Sequence, residues 1–287
     1  MGCAMRALYD VPAPAKINTF LHIVGRRADG YHLLQSVFAL LNWCDTLHFE
    51  LRPGTQLSRE DLGTPLPADD LCLRAARSLQ QATGCPHGAH ISVSKALPSE
   101  AGLGGGSSDC ATTLLALNRL WGLGLSRTQL AAIGLQLGAD VPFFLFGRNA
   151  WVEGVGEMLT AVDLPPQALL IAKPAAGVST AALFSDPRLC RNTGLAILAG
   201  FLEAGFSFGH NDLQPVAQMH CPQIEEAISW LASQGLQARM TGSGSAVFAP
   251  LTTPQTTAMG ATAGPGGLLL HTCSTLAEHP LRGWAKE

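Results

Sequence analysis

The chain has 287 residues, of which 47% are hydrophobic and 14% are charged, and its formal net charge is −3. This length suits about two domains with substantial cores, and the low charge content is not typical of long disordered tails. A slightly acidic chain has no general attraction for nucleic acids or anionic membranes. An anionic substrate must therefore be held by local cations and by backbone N–H groups.

Cysteine usage and the N-terminal sequence indicate the compartment. The eight cysteines include no C-x-x-C pair, which excludes common zinc spacings and the dense pattern of small secreted scaffolds. No signal peptide is visible, and no apolar run is long enough to cross a bilayer. We therefore predict reduced cysteines and a cytoplasmic protein with neither a nucleic-acid nor a membrane partner.

The first predicted elements are two strands joined by a turn. Residues 21–25 form a short β-rich run, and the Asp29-Gly30 pair that follows is a strong turn signal. Residues 31–41 are predicted to form the second strand.

A polar connection and a helix come next. Residues 52–67 are rich in proline, glycine and polar side chains, so we predict an exposed connection there. Asp69 and Asp70 are N-cap candidates for a helix over 71–81. Residues 91–94 then alternate as a strand that leads into a run of glycines.

The middle of the chain carries a further helix and a possible domain boundary. Ser126 opens a capping box, and Gly138 is expected to end the helix that it starts. Residues 150–160 have a strand-like pattern interrupted by two glycines. The Pro165-Pro166 pair then punctuates the chain, so we predict an N-terminal domain over 1–163 and a C-terminal domain over 164–287.

The C-terminal half again mixes the two element types. Residues 168–172 are predicted to form a buried strand, and residues 222–234 an amphipathic helix. Strands and helices do not alternate with the regular rhythm of a parallel sheet. The predicted fold class is therefore α+β.

The glycine run at 102–106, with one leucine inside it, is the most informative segment. Glycine permits positive φ and a close approach of backbone to a ligand, and the helix predicted over 110–121 presents unpaired N–H groups nearby. Together these features predict a phosphate cradle; the alternative is a flexible Gly/Ser loop. The segment matches neither the Walker A sequence nor the Rossmann fingerprint, so a nucleotide would sit on a different architecture.

Lys16 and Asp140 are the candidate chemical groups. Taken alone, Lys16 reads as a lysine at a strand entry, and Asp140 as a helix N-cap followed by Pro142. A partly desolvated aspartate among phenylalanines also suits a general base, and a nearby lysine would stabilise charge on an attacking hydroxyl. Sequence spacing does not show whether the two meet.

Three further features have both a functional and a plain interpretation. Tyr31 and His32 are suited to stacking on a nucleobase and bonding its edge, or are a buried tyrosine beside a surface histidine. Lys95 is either a nucleotide contact or a surface charge at a strand end. Residues 242–246 form a second glycine-rich turn, which is either part of a shared phosphate site or a bare hairpin.

These segments, in this order, resemble the GHMP kinase superfamily, named for galactokinase and for homoserine, mevalonate and phosphomevalonate kinases. The resemblance extends from about Pro12 to Ala249. The matching segments are residues 14–18, 25–32, 98–108, 138–144, 153–157, 191–193, 211–213 and 242–246. The resemblance implies a two-domain α+β GHMP kinase fold with the active site in the interdomain cleft.

The resemblance also implies an activity. The segment at 25–32 resembles that of family members that act on a small-molecule cytidyl diphosphate substrate. The resemblance implies that ATP donates its γ-phosphoryl group to the 2-hydroxyl of the methylerythritol moiety of that substrate. This reaction belongs to the non-mevalonate isoprenoid pathway. Asp140 then matches the catalytic base and Lys16 its partner, with Mg²⁺ expected beside ATP. The implied ATP-binding residues are Lys95, Pro98, Ser99, Glu100, Ala101, Gly102, Leu103, Gly104, Gly105, Gly106, Ser107 and Ser108. The implied substrate-binding residues are Asn18, Tyr31, His32, Phe184, Gly242 and Gly244, with Tyr31 and Phe184 on either side of cytosine.

Two departures and two alternatives stay open at this point. Ser99-Glu100-Ala101 stands where relatives often carry more glycine, which implies a stiffer and more acidic loop, and Asp70 stands where asparagine is common near the nucleotide. The alternatives are a related kinase that acts on mevalonate-type or sugar substrates, and a catalytically silent nucleotide-binding module.

Overall fold

The computed structural model describes residues 5–251 and 261–287. Its first half contains a mixed sheet covered by helices. The strands are β1 (Ala7–Arg26), β2 (His32–Arg52), β3 (Leu57–Asp61), β4 (Gly88–Ser94), β5 (Ala150–Glu153) and β6 (Met158–Ala161). The helices are α1 (Leu71–Thr83), α2 (Gly105–Leu120), α3 (Arg127–Leu135) and α4 (Val141–Phe146).

The long antiparallel hairpin β1–β2 organises this sheet. The strand order is β3-β4-β2-β5-β6, with β1 paired to β2 beside that path. Among the described strands β1 pairs only with β2, and its bridge to Asn211 lies at Leu21, so the missing N–H groups of Pro12 and Pro14 break no second ladder. The predicted runs at 21–25 and 31–41 are confirmed, but as parts of much longer strands, and prolines obscure the strand pattern only in the first half of β1.

The prediction for residues 52–67 was wrong, because strand β3 lies inside that segment and pairs in parallel with β4. The segment reads as exposed because it is polar, yet its charges are paired. The guanidinium of Arg59 lies 2.7 Å from the Asp70 carboxylate and 2.8 Å from that of Asp61, with 8% of the Arg59 side chain exposed. Ion pairing thus replaces the apolar pattern that normally marks a strand.

Helix boundaries agree with the capping signals. Asp70 accepts hydrogen bonds from the N–H groups of Cys72 and Leu73 at the start of α1, which confirms one of the two predicted caps. The capping box of Ser126 is present at α3. That helix ends at Leu135 rather than near Gly138, where the chain turns directly into α4.

Residues 150–160 contain two strands rather than one. The strands β5 and β6 pair in antiparallel register, and the turn between them carries Gly154 and Gly156, both with positive φ. The glycines interrupt the strand pattern because they form this turn.

The second half contains an antiparallel sheet with the order β10-β11-β7-β9-β8. Its strands are β7 (Ala168–Lys173), β8 (Arg239–Met240), β9 (Val247–Pro250), β10 (Ala261–Ala263) and β11 (Leu269–Ser274). Its helices are α5 (Thr180–Ser185), α6 (Leu198–Ala204), α7 (Gln214–His220) and α8 (Gln223–Ser233). Strand β7 and helix α8 confirm the elements predicted at 168–172 and 222–234.

One buried apolar cluster joins the two halves. It contains Ile17 and Leu41 from the first sheet, Ile171 and Phe248 from the second, and Leu103 from the glycine-rich segment. This shared core fixes that segment against both sheets. The fold is α+β, and no helix among residues 5–251 and 261–287 is long and apolar enough to traverse a bilayer.

Candidate active site

The glycine-rich segment is locked in place by its backbone. Gly102 and Gly104 have φ of +72° and +73°, and a Cβ atom on Gly102 would clash with the carbonyl oxygen of Thr241. The N–H groups of Ser245 and Ala246 donate to the carbonyls of Glu100 and Ala101 at 3.1 and 3.2 Å. The segment is therefore a braced loop, not a flexible linker.

This loop lines a cavity of about 780 Å³ in front of the first turn of α2. Eleven of the twelve predicted ATP-binding residues line it: Lys95, Pro98, Ser99, Glu100, Ala101, Gly102, Leu103, Gly104, Gly105, Gly106 and Ser107. Ser108 does not line the cavity, because its side chain is fully buried on the inner side of α2. The cavity thus faces backbone N–H groups and a helix N-terminus, which suits an anion.

Lys95 lies beneath the loop in a buried charge network. Its Nζ atom contacts the carboxylate of Asp45 and lies 2.6 Å from that of Asp109. Asp45 also accepts hydrogen bonds from the N–H groups of Ala96 and Leu97 at 2.6 and 2.8 Å. Burial, together with the neighbouring Asp45 carboxylate, raises the pKa of Asp109 to about 7, although Lys95 opposes the shift. Sequence reasoning missed both aspartates.

Lys16 and Asp140 meet in the middle of the cleft. Lys16 lies near the centre of β1, not at a strand entry, and its Nζ atom is 3.3 Å from Oδ2 of Asp140. The same ammonium donates to Oδ1 of Asn18 at 2.6 Å and lies 4.6 Å from the centre of the Phe38 ring. The Lys16 backbone N–H bonds the carbonyl of Leu103, so the strand also holds the loop.

Asp140 occupies the N-cap position of α4 without acting as a cap. Its side chain accepts no capping hydrogen bond from the helix, and 31% of that side chain is exposed. The carboxylate lines a cavity of about 350 Å³ together with Lys16, Asn18 and Gly242. It is therefore available to a ligand as well as to Lys16.

The third part of the cleft is aromatic. Tyr31, His32 and Phe184 line a cavity of about 590 Å³, and the ring centres of His32 and Phe184 are 5.0 Å apart. Tyr31 is 64% exposed and His32 is half-buried. The plain interpretation of a buried tyrosine beside a surface histidine is therefore wrong, since a strand start leaves Tyr31 at the rim.

Arg191 holds the aromatic wall together. Its Nε–H donates to Nε2 of His32 at 3.0 Å, and its Nη2 donates to the carbonyl of Phe184 at 3.1 Å. Partial burial, followed by the charges of Arg191 and Arg26, lowers the pKa of His32. The motif at 191–193 singled out this arginine, but the sequence did not reveal its partner 159 residues away.

The second glycine turn connects β8 to β9 and lines the same cleft. Gly242 borders the middle cavity and Gly244 borders the cavity of the loop. The side-chain amide of Asn211 donates to the carbonyls of Gly242 and Met240 at 2.8 and 2.9 Å. Asn211 is a second residue of a recognised motif whose positioning contact only the structure reveals.

The three cavities form one continuous cleft. The loop cavity and the middle cavity share Gly102, Gly104 and Ser107. The middle cavity and the aromatic cavity share Leu34 and Phe184. An anion-binding loop therefore lies at one end, an aromatic wall at the other, and a lysine–aspartate pair between them.

Family models match both halves of the chain. Residues 70–148 match the model described as GHMP kinases N terminal domain, and residues 196–258 match the model described as GHMP kinases C terminal. Solved structures agree at the level of fold: homoserine kinase from Cytophaga hutchinsonii superposes with a TM-score of 0.65 at 15% identity, covering 97% of this chain and 96% of that one.

Curated relatives are similar over nearly their whole length. The 4-diphosphocytidyl-2-C-methyl-D-erythritol kinase of Paracidovorax citrulli is 60% identical, with 99% of both chains covered. The enzyme of the same name from Variovorax paradoxus is also 60% identical, with 98% of this chain and all of that one covered. A crystal structure of 4-(cytidine 5'-diphospho)-2C-methyl-D-erythritol kinase superposes with a TM-score of 0.72 at 36% identity, covering 85% of this chain and 90% of that one.

Proposed function

This chain belongs to the GHMP kinase family and is a kinase, and we propose that it transfers the γ-phosphoryl group of ATP to the 2-hydroxyl of 4-diphosphocytidyl-2-C-methyl-D-erythritol. One observation carries the proposal: the Lys16–Asp140 pair lies in the middle cavity, between the braced glycine loop and the aromatic wall. An alcohol held there would face a phosphate held at the loop.

Asp140 is the proposed general base. Its carboxylate takes the proton of the substrate hydroxyl as the oxygen attacks the γ-phosphorus, while the bond from that phosphorus to the β,γ-bridging oxygen breaks and ADP leaves with the bonding electrons. The Lys16 ammonium, 3.3 Å away, stabilises the negative charge that develops on that oxygen. Asn18 and the Phe38 ring fix the position of the ammonium, so the positive charge is already in place before the reaction begins. Because phosphoryl transfer depends mainly on positioning and charge neutralisation, the glycine loop together with Lys16 and Asp140 would supply the parts that it needs.

The glycine loop is the proposed triphosphate site. The first turn of α2 and the neighbouring N–H groups would bind phosphate oxygens, while Lys95 supports the loop through Asp45 and Asp109. Both proposed domains, 1–163 and 164–287, would contribute to this site, since the second glycine turn braces the loop.

Mg²⁺ is expected to accompany ATP. Among the described residues no group of three or more histidine, cysteine, aspartate or glutamate side chains is arranged to hold a metal ion. Mg²⁺ is commonly held by substrate phosphates, water and one or two carboxylates rather than by a protein cage, and we propose that it would accompany ATP here in that way. When bound, the ion neutralises charge on the phosphates.

The aromatic cavity is the proposed cytidine site. Tyr31 and Phe184 would stack on the two faces of the base, and His32 would bond its edge. The partner of the protein is thus a small molecule, and we place the reaction in the cytoplasm as a step of non-mevalonate isoprenoid synthesis.

ATP consumption by the purified protein tests this function. We expect turnover with the cytidyl substrate and none above background with mevalonate or galactose. Turnover with mevalonate alone would reject the proposed substrate. Absence of turnover with all three, alongside ATP binding, would instead favour a silent nucleotide-binding module.

A further inference from the structure

We propose that Arg191 is a positioning residue that fixes His32 in the tautomer with its N–H at Nδ1, and that this tautomer selects cytosine over uracil. The inference rests on the proposed function, because it concerns the base of the acceptor substrate. It adds a specificity device formed by two residues that lie outside the catalytic pair.

The tautomer follows from the chemistry of the contact. An arginine side chain has only hydrogen-bond donors, and it stays protonated in proteins. Its Nε–H points at Nε2 of His32 at 3.0 Å, so Nε2 must offer a lone pair. In a neutral imidazole the proton then resides on Nδ1.

The imidazole is kept neutral by its surroundings. Partial burial lowers the pKa of His32, and the nearby guanidinium charges of Arg191 and Arg26 lower it further. The charged neighbour Asp29 pairs with Arg27. A second proton on the ring would also remove the acceptor that Arg191 uses.

Arg191 is itself held by the chain around it. Three of its four remaining N–H donors bond the carbonyls of Leu189 at 2.9 Å, Phe184 at 3.1 Å and Asp186 at 2.8 Å. The guanidinium thus cannot turn away to release Nε2. The same contacts tie the end of α5, which carries Phe184, to the position of His32.

This arrangement discriminates between pyrimidines. Cytosine presents an unprotonated N3, a hydrogen-bond acceptor, whereas uracil presents N3–H, a donor. The Nδ1–H of His32 is the only ring group left for a ligand, and it pairs with the first and opposes the second. A site built around a hydrogen bond rejects a ligand that leaves its polar groups unpaired, often by a large factor.

The test compares the cytidyl substrate with its uridyl analogue on the full-length enzyme. For the natural chain we expect a preference in kcat/KM of roughly 100-fold or more. In Arg191→Met the ring is free to adopt either tautomer, so that preference should fall to within about 10-fold, mainly through KM for the cytidyl compound. Arg191→Lys, which keeps a cationic donor but lacks the planar fork of the guanidinium, should recover part of it.

Arg188→Met is the matched control. Arg188 lies three positions away on the same segment, but it bonds Asp186 and its side chain is more than half exposed. It should keep the full preference. An Arg191→Met enzyme that turned over the cytidyl substrate with an unchanged preference would overturn the inference and leave the proposed function standing.

A direct measurement covers the case in which Arg191→Met does not fold. The ¹⁵N chemical shifts of the His32 ring in the natural protein report the tautomer without any substitution. We expect a protonated Nδ1 and an unprotonated Nε2 at neutral pH. A protonated Nε2 would overturn the inference, whatever the enzyme phosphorylates.

Discussion

The two ends of the cleft are built from different parts of the chain. The proposed phosphate end is made of backbone: glycines with positive φ, a helix N-terminus and carbonyl groups bonded to a second turn. The proposed cytidine end is made of side chains, with one arginine that bonds the ring of His32 and the carbonyl of Phe184. The glycine run at the backbone end can therefore be recognised from a local sequence pattern, whereas the contacts at the side-chain end cannot.

The first prediction concerns the junction of the two ends. Asp140→Asn keeps the shape of the side chain but removes the base, so kcat should fall by roughly 10²- to 10⁴-fold. Neither KM should change much, because neither end is altered. Steady-state kinetics with both substrates and a thermal melt check this.

Asp163→Asn is the control, because Asp163 is a highly exposed aspartate that pairs with Arg148. Near-normal turnover in Asp140→Asn would remove Asp140 from its assigned role.

The second prediction attacks the backbone end. Gly102→Ala adds a Cβ that meets the Thr241 carbonyl at a φ of +72°, so the loop must shift. Strain of a few kcal/mol predicts an increase of roughly 100-fold in KM for ATP, with less change in KM for the cytidyl substrate.

Gly124→Ala is the control that separates the backbone strain of positive φ from the steric clash with a neighbouring carbonyl. Gly124 has a φ of +67° but open space around its Cβ position, so it carries the strain of positive φ without the clash. If both variants raised KM for ATP equally, the brace between loop and second turn would have no part in binding.

The third prediction attacks the side-chain end. Tyr31→Ala removes one stacking face and should cost about 2 kcal/mol in kcat/KM for the cytidyl substrate, with KM for ATP unchanged. Tyr9→Ala is the matched control, since Tyr9 is similarly exposed but bonds Glu50 elsewhere on the surface. A rise confined to KM for ATP would assign Tyr31 to the opposite end.

The fourth prediction distinguishes the ends by pH. Burial, together with the Asp45 carboxylate, raises the pKa of Asp109 beneath the glycine loop to about 7, so this carboxyl gains a negative charge as the pH rises through neutrality. A nearby negative charge weakens binding of an anion, and we expect KM for ATP to rise by about two- to fivefold from pH 6 to pH 8.

In Asp109→Asn the same pH range should leave KM for ATP flat, after correction for the ionisation of ATP itself. His32 has a lowered pKa, so KM for the cytidyl substrate should change only on the acidic side. Equal pH profiles for the two substrates would contradict the assignment of Asp109 to the phosphate end.

The features that could be predicted from the sequence are those that depend on local residue patterns. Sequence reasoning predicted the fold class, the caps at Asp70 and Ser126, and the glycine segment, because each depends on residues close together in the chain. It failed at strand β3, since the ion pairs of Arg59 are not visible in a hydrophobic pattern.

The contacts that position the site join residues that lie far apart in the chain. Lys16 and Asp140, or Arg191 and His32, meet only after both sheets have formed. Lys95 reads as a lone charge in the sequence, yet it lies between two aspartates, one 50 residues earlier and one 14 residues later. No periodicity records such pairings, because they connect elements rather than neighbours.

The bonds from Ser245 and Ala246 to the carbonyls of Glu100 and Ala101 have one more consequence. They make the braced loop, the proposed nucleotide site, depend on both halves of the chain, so a fragment cut at the proline pair would keep the glycines but lose these two hydrogen bonds. Such a fragment should bind nucleotide poorly even where it folds, and adding the fragment that follows the proline pair should restore nucleotide binding.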